Sequence, residues 1–236
     1  MKKLFHTLFP IAWFIVLVSG LLAASATGQA TSQAAPNVSI DTIRDITSQT
    51  SSLDPKVLQL ALLAYEHARL QGLDKQQILT IINYQQPSID KRLWVINLND
   101  DKVLYNTYVA HGKNSGDNYA DEFSNSPKSQ ESSIGVYVTG NTYYGNDGYS
   151  LHLIGLDSGF NSNAYSRSIV MHGAWYVSQS FIDQYGRLGR SWGCPAIDKT
   201  IEPQVVNTIK NGTVIFAYYP EKNWLDNSKY LKPINV

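Results

Sequence analysis

Hydrophobic and polar positions along this chain change their period twice. An apolar stretch runs from Leu8 to Ala24, interrupted by Pro10, Ser19 and Gly20. Residues 27–52 follow, rich in Ser, Thr, Gln and Ala with few large apolar side chains, and read as a polar linker. At Asp54-Pro55 an N-cap stands before a proline at the first helical position. Leu58, Leu62 and Tyr65 recur at helical spacing, as do Leu60, Leu63 and Leu70, until Gly72 supplies a stop. A second short helix is predicted from Asp74, using Ile78, Ile81 and Ile82 and ending near Pro87. Residues 53–88 thus read as a helical N-terminal segment that carries no chemistry.

Beyond residue 90 the period becomes two. Leu93, Val95 and Asn97 alternate with Trp94, Ile96 and Leu98; Asn99-Asp100-Asp101 makes a turn, and Val103–Ala110 returns as a strand. Further strands are predicted at Ile134–Thr139, Ser150–Gly155, Ser168–His172 and Thr213–Tyr218, separated by Gly, Asn, Asp and Ser clusters. Helices are expected around Val177–Gln184 and Ile201–Lys210. Many short strands with few helices argue for a mainly β domain, a sandwich or barrel, over residues 89–220, with 221–236 as a C-terminal tail.

The first 26 residues carry a processing signal. Lys2 and Lys3 form a positive n-region before the apolar stretch, and Ala24-Ser25-Ala26 supplies the small residues a signal peptidase needs. The apolar run is short for a membrane span, so a cleaved leader is expected. Export to the periplasm or cell envelope follows. No cysteine lies near the cut, which argues against a lipid anchor.

Composition narrows the function. Basic and acidic residues both number 19, so there is no electrostatic footprint for nucleic acid or anionic lipid. Removing residues 1–26 takes away two lysines and no acid, leaving 17 bases against 19 acids. Cys194 is the single cysteine, which excludes an internal disulfide or a zinc site built on several cysteines. In an exported chain such a thiol is either buried and inert or reactive and kept for chemistry.

Cys194 sits in Gly189-Arg190-Ser191-Trp192-Gly193-Cys194-Pro195-Ala196, where small residues let the backbone turn and bring amides near a substrate carbonyl. Pro195 has no N–H, so an oxyanion hole would use the amides of Gly193 and Cys194. Upstream, Ile169-Val170-Met171-His172-Gly173 ends a strand on a histidine. An imidazole beside a thiol accepts its proton or holds it as an ion pair. The spacing leaves room for a loop and helix to fold back between them. Alone, a buried cysteine also suits a structural role.

His172-Gly173 together with Ser191-Trp192-Gly193-Cys194 resembles the H-G … S-x-G-C signature of L,D-transpeptidases of bacterial peptidoglycan, in the murein L,D-transpeptidase branch where Pro-Ala follows the cysteine. Ala110–Gly116, Phe123–Asn125, Gly135–Gly140 and Asn161–Ala164 also fit, so the resemblance spans about residues 93–219. It implies an L,D-transpeptidase-like β fold without a cofactor. The implied reaction is acyl transfer: Cys194 as nucleophile on the bond between residues 3 and 4 of a peptidoglycan tetrapeptide, His172 as general base and acid. The acceptor would be a stem-peptide amine, giving a 3–3 cross-link, or an envelope lipoprotein. Hydrolysis of the same bond, as an L,D-carboxypeptidase, and a catalytically silent peptidoglycan-binding module are the alternatives; the intact Cys194 and His172 count against the last. A monomer is expected.

One departure matters. Many L,D-transpeptidases continue S-x-G-C with an apolar residue and an arginine, where this chain has Pro195-Ala196. Arg190 and Arg167 could take over by chemistry, pairing with a stem-peptide carboxylate. Ser191, Trp192, Gly173 and His111 complete the candidate substrate contacts. Trp175 and Tyr143-Tyr144 are further candidates for the groove wall. Ser150-Leu151-His152 with Asp157 resembles only weakly the zinc ligands of metal-dependent D-Ala peptidases: Gly159 stands where the acid belongs, and no E-x-x-H run follows, so no metal is expected.

Overall fold

A computed structural model describes residues 40–234 of the chain. The expected leader over 1–26 and the first part of the linker, 27–39, lie outside the described residues.

Two helices open the described chain: α1 (Ile40–Gln49) and α2 (Pro55–Leu70). Nine strands follow: β1 (Ile78–Asn83), β2 (Leu93–Asn97), β3 (Lys102–Thr107), β4 (Val109–Ala110), β5 (Gly135–Gly145), β6 (Gly148–Gly155), β7 (Val170–Ala174), β8 (Ala196–Asp198) and β9 (Val214–Tyr218). Helices α3 (Gln179–Tyr185) and α4 (Glu202–Ile209) flank β8, and α5 (Lys222–Asn227) follows β9. The strands form one mixed sheet in the order β3-β2-β1-β9-β5-β6-β7-β8-β4.

The two edges of that sheet, β3 and β4, are separated in the chain by Tyr108 alone. A flat nine-stranded sheet would hold its edges far apart, so one unbroken backbone forming both edges requires the sheet to curl. The result is a nearly closed barrel. The single strand expected over Val103–Ala110 is therefore two strands, one pairing with β2 and the other with β8. The mainly β expectation holds, in its barrel form.

Three further sequence expectations are corrected. The segment around Ile78 is a strand, not a helix. Ile-Leu-Thr-Ile-Ile-Asn lies between β2 and β9 with all six residues buried. Its apolar run fits either period, and β-branching together with burial on both faces decides for the strand. Residues 53–88 are thus α2 plus a central strand of the barrel. Part of the expected linker over 27–52 is helix α1, whose polar sequence conceals it. Ile46 is its one buried residue. Gln49 accepts from Val103 N–H (3.0 Å) and donates to Asp101 O (2.7 Å), so the helix shields the edge strand β3.

The expected tail is likewise built in. Glu221 caps α5, and Trp224 is fully buried against Phe216. Asp157, buried between β6 and β7, accepts from Val136 N–H (2.8 Å), Trp224 Nε1 (3.2 Å) and Ser228 Oγ (2.6 Å), tying strand β5 to the C-terminal segment.

Candidate active site

Strands β7 and β8 run parallel, with His172 opposite Ala196. Cys194 lies two residues before Ala196, so strand register brings it to the end of the strand beside His172. The connection between them contains α3, folded back as the spacing implied. Cys194 and His172 line one cleft of about 470 Å³ together with Asp147, Tyr176, Arg190 and Trp192. On the other side of Cys194 a cleft of about 590 Å³ is lined by Lys128, Arg167, Asp147 and Trp192.

His172 is buried, and its Nδ1 lies 3.2 Å from the carbonyl oxygen of Gly173. A carbonyl only accepts, so Nδ1 carries the proton and Nε2 is left with its lone pair. This carbonyl is the group that orients the His172 ring. Gly173 itself, expected as a substrate contact, is packed from behind: a Cβ there would stand 2.8 Å from Glu202 Oε2.

Cys194 is half-buried. Val170 N–H points at Sγ (3.5 Å), and the thiol faces Ser168 O (3.7 Å). Burial pushes the thiol up to about 11; the Asp147 carboxylate adds to this, while the Val170 amide and the Arg167 guanidinium oppose it. The resting group is a thiol, which needs a base to become a nucleophile. Among the described residues no hydrogen bond joins it to His172.

The turn before Cys194 is bonded to itself. Ser191 Oγ donates to Cys194 O (2.6 Å) and accepts from Gly193 N–H (3.1 Å). Gly193 has φ of 117°, and a Cβ there would lie 2.6 Å from Glu131 O, so glycine is obligatory. The Gly193 amide, expected in the oxyanion hole, is therefore spent on Ser191. The Cys194 amide, by contrast, donates to no group among the described residues. Ser191 is a buried brace of this turn, also accepting through its carbonyl from Lys113 N–H (2.7 Å).

His111, expected at the substrate, is fully buried and lines neither cleft. Its ring is held between Arg92 and Gly116 O, and burial together with the Arg92 charge lowers it to about 3. The loop it anchors braces Ser191 through the His111 carbonyl (3.0 Å). Arg190 reaches the cleft but is paired with Asp117 (3.0 Å) and Gly116 O (3.0 Å). Among the described residues Arg167 has no carboxylate partner. It donates to Ser124 O, Glu131 O and the hydroxyls of Ser129 and Ser133, holding that loop beside Cys194. Trp192 is 75% exposed at the rim of both clefts, and Trp175 is 74% exposed beside His172 in an adjoining cleft. Tyr143 stacks on His152 (4.5 Å), away from these clefts.

Sequence reasoning missed Asp147, Tyr176 and Lys128. Asn146-Asp147-Gly148 signals a hairpin turn between β5 and β6, but only the curl of the sheet hangs that turn over Cys194.

The L,D-transpeptidase catalytic domain family matches residues 49–218. Among solved structures, the chain is similar to an L,D-transpeptidase from Mycobacterium smegmatis (11% identity, 61% of this chain and 59% of that one, TM-score 0.38). It is also similar to L,D-transpeptidase 1 from Mycobacterium tuberculosis (12%, 61% and 62%, 0.34) and to an L,D-transpeptidase from Stackebrandtia nassauensis (12%, 75% and 76%, 0.36). The chain thus spans about three fifths of the length of the mycobacterial proteins it matches. No curated protein matches it. With the family match covering well over half of its residues, the chain belongs to the L,D-transpeptidase catalytic domain family.

Proposed function

We propose that this protein is an exported L,D-transpeptidase that attacks a peptidoglycan tetrapeptide through Cys194. The observation that carries the reading is the shared cleft of Cys194 and His172, with Nδ1 tied to Gly173 O and Nε2 left as the base. His172 Nε2 takes the thiol proton as sulfur attacks the carbonyl of the third stem residue. The Cys194 amide donates to the resulting oxyanion. Collapse breaks the bond to D-alanine, whose amine leaves with the proton held on Nε2, and a thioester remains. An acceptor amine then gives Nε2 a proton, attacks the thioester and releases Cys194, which recovers that proton.

Lys128 supplies an ammonium group on one side of Cys194, suited to a stem-peptide carboxylate in place of the arginine missing after the cysteine, and Arg167, whose terminal N–H groups are bonded to the loop, adds its positive charge. Asp147, on both clefts, suits an ammonium group of the diamino acid or the acceptor. Water in place of the amine makes the same site an L,D-carboxypeptidase, and an envelope lipoprotein lysine is an alternative acceptor.

The test incubates the protein and its Cys194→Ala variant with disaccharide-tetrapeptide and follows products by mass spectrometry. Loss of D-alanine with dimers is the expected result, and loss without dimers means hydrolysis. Equal inertness of both proteins, with no carbapenem adduct on Cys194, overturns the reading.

A further inference from the structure

Glu202 is the first residue of α4, yet it is buried, 5% exposed. Its Oε1 has no hydrogen-bond partner among the described residues. A carboxylate oxygen removed from water without a partner is costly, so its retention calls for a reason. Its other oxygen and Cδ stand 2.8 and 2.9 Å from where a Gly173 Cβ would be. Only glycine lets the carboxylate come this close. The same glycine offers its carbonyl to His172 Nδ1.

We propose that Glu202 is a positioning residue for His172: seated behind Gly173, it fixes the backbone that holds Nδ1 and supplies the negative charge that strengthens the imidazole as a base. The inference rests on the reading above for the role of His172, but its physical content does not.

The charged groups around Glu202 fit this assignment. Burial raises the Glu202 carboxyl above its ordinary value, while the Gly173 amide, His172 from β7 and Lys199 from the turn before α4 oppose that rise by favouring the ionised form. The N-terminal end of α4 adds partial positive charge. Strand β6 also packs on α4, and there Tyr149 bonds Asn207, further along the helix. On its other side His172 faces Cys194, Asp147, Tyr176 and Arg190 across one cleft and Lys199 in the adjoining one. Glu202 is the carboxylate behind the strand, where substrate does not displace it.

A negative charge near an imidazole favours imidazolium and raises its proton affinity. In the full chain, the His172 ring is titrated by NMR, assigned with His172→Gln. In Glu202→Gln, of nearly equal shape, the His172 midpoint should fall, and the acid limb of kcat/KM should move down with it. Glu202→Asp, which keeps the charge but opens a gap, should stay closer to wild type than the Gln variant does. A packing role alone predicts the reverse order. Lys199→Gln, at an exposed position on a cleft that His172 also lines, should raise the midpoint directly and calibrates how far a neighbouring charge moves it. An unmoved midpoint in folded Glu202→Gln overturns the inference; where that variant folds poorly, a midpoint in Glu202→Asp displaced well below wild type does the same. Absent peptide turnover with a shifted midpoint overturns the transpeptidase reading instead.

Discussion

The guanidinium of Arg92 donates to His111 Nδ1 at 2.7 Å, and both side chains are fully buried. Arginine only donates, so Nδ1 accepts and His111 carries its proton on Nε2, directed at Gly116 O (3.4 Å). This neutral ring joins Arg92, itself bonded to Val109 O and Gln86 O, to the loop that braces Ser191. The scaffold under the candidate nucleophile therefore depends on a histidine that must stay uncharged.

Acid should loosen that scaffold. The folded-state value for His111 lies near 3, below the ordinary 6.5. The unfolded chain therefore binds the extra proton first as pH falls, and stability is lost between about 6.5 and 3. The slope from this group approaches about 1.4 kcal/mol per pH unit. Denaturant unfolding at pH 7, 5.5 and 4.5 measures it. His111→Phe should unfold with a shallower dependence on pH, although it leaves Arg92 short of a partner.

Cys194 should react slowly with small alkylating agents at neutral pH, because its thiol titrates near 11. Asp147→Asn removes a carboxylate that raises the thiol, so alkylation at pH 8 should accelerate, by about threefold for a shift of half a unit. Arg167→Gln should act in the opposite direction. Iodoacetamide labelling rates against pH read both, with far-UV circular dichroism checking the fold.

Ser191→Ala strips one hydroxyl from two groups at once, Gly193 N–H and Cys194 O. Each buried group left without its partner costs about 1–3 kcal/mol. The turn should relax and carry Cys194 out of place, lowering kcat/KM by at least about tenfold, since displacements of an ångström are that expensive. Retained activity in a destabilised variant would show that the turn does not position the thiol.

Asp157→Ala should unfold the C-terminal segment as well as weaken the sheet. Its carboxylate serves Val136, Trp224 and Ser228 from two parts of the chain. Loss of these charge-assisted bonds is worth about 2–4 kcal/mol. Trypsin should then cut near Lys222 or Lys229 in the variant well before it does so in the native protein, as read by mass spectrometry.

Strands and helices that are long or strictly patterned were legible in the sequence. Leu93–Asn97, Val214–Tyr218, the Pro55 helix and the segment before Asn211-Gly212 all lie close to where period and punctuation put them. Where local signals conflict with tertiary burial, the sequence misleads. Ile78–Asn83 satisfies helical spacing, yet becomes a strand because neighbours on both sides offer backbone partners. Helix α1 docks through one buried residue, Ile46, and the C-terminal segment through Trp224 and Tyr230, too few apolar positions to set up a readable period.

Motif residues Cys194 and His172 could be singled out by residue type and order, since a thiol and an imidazole are chemically distinctive wherever they stand. Their immediate surroundings could not. His111 and Ser191 look like contacts in the sequence and prove to be braces: Arg92, from just before β2, and Gly116 O hold the His111 ring, while the Ser191 hydroxyl is taken up within its own turn by Cys194 O and Gly193 N–H. Asp147 and Glu202 carry no motif, and enter the site only because the barrel curls a hairpin over Cys194 and packs α4 behind Gly173. The sequence by itself determined the candidate chemistry and the β class, through residue identity and local period. The tertiary structure alone decided which polar atoms remain free to act, because that depends on which partners long-range pairing brings within hydrogen-bond reach.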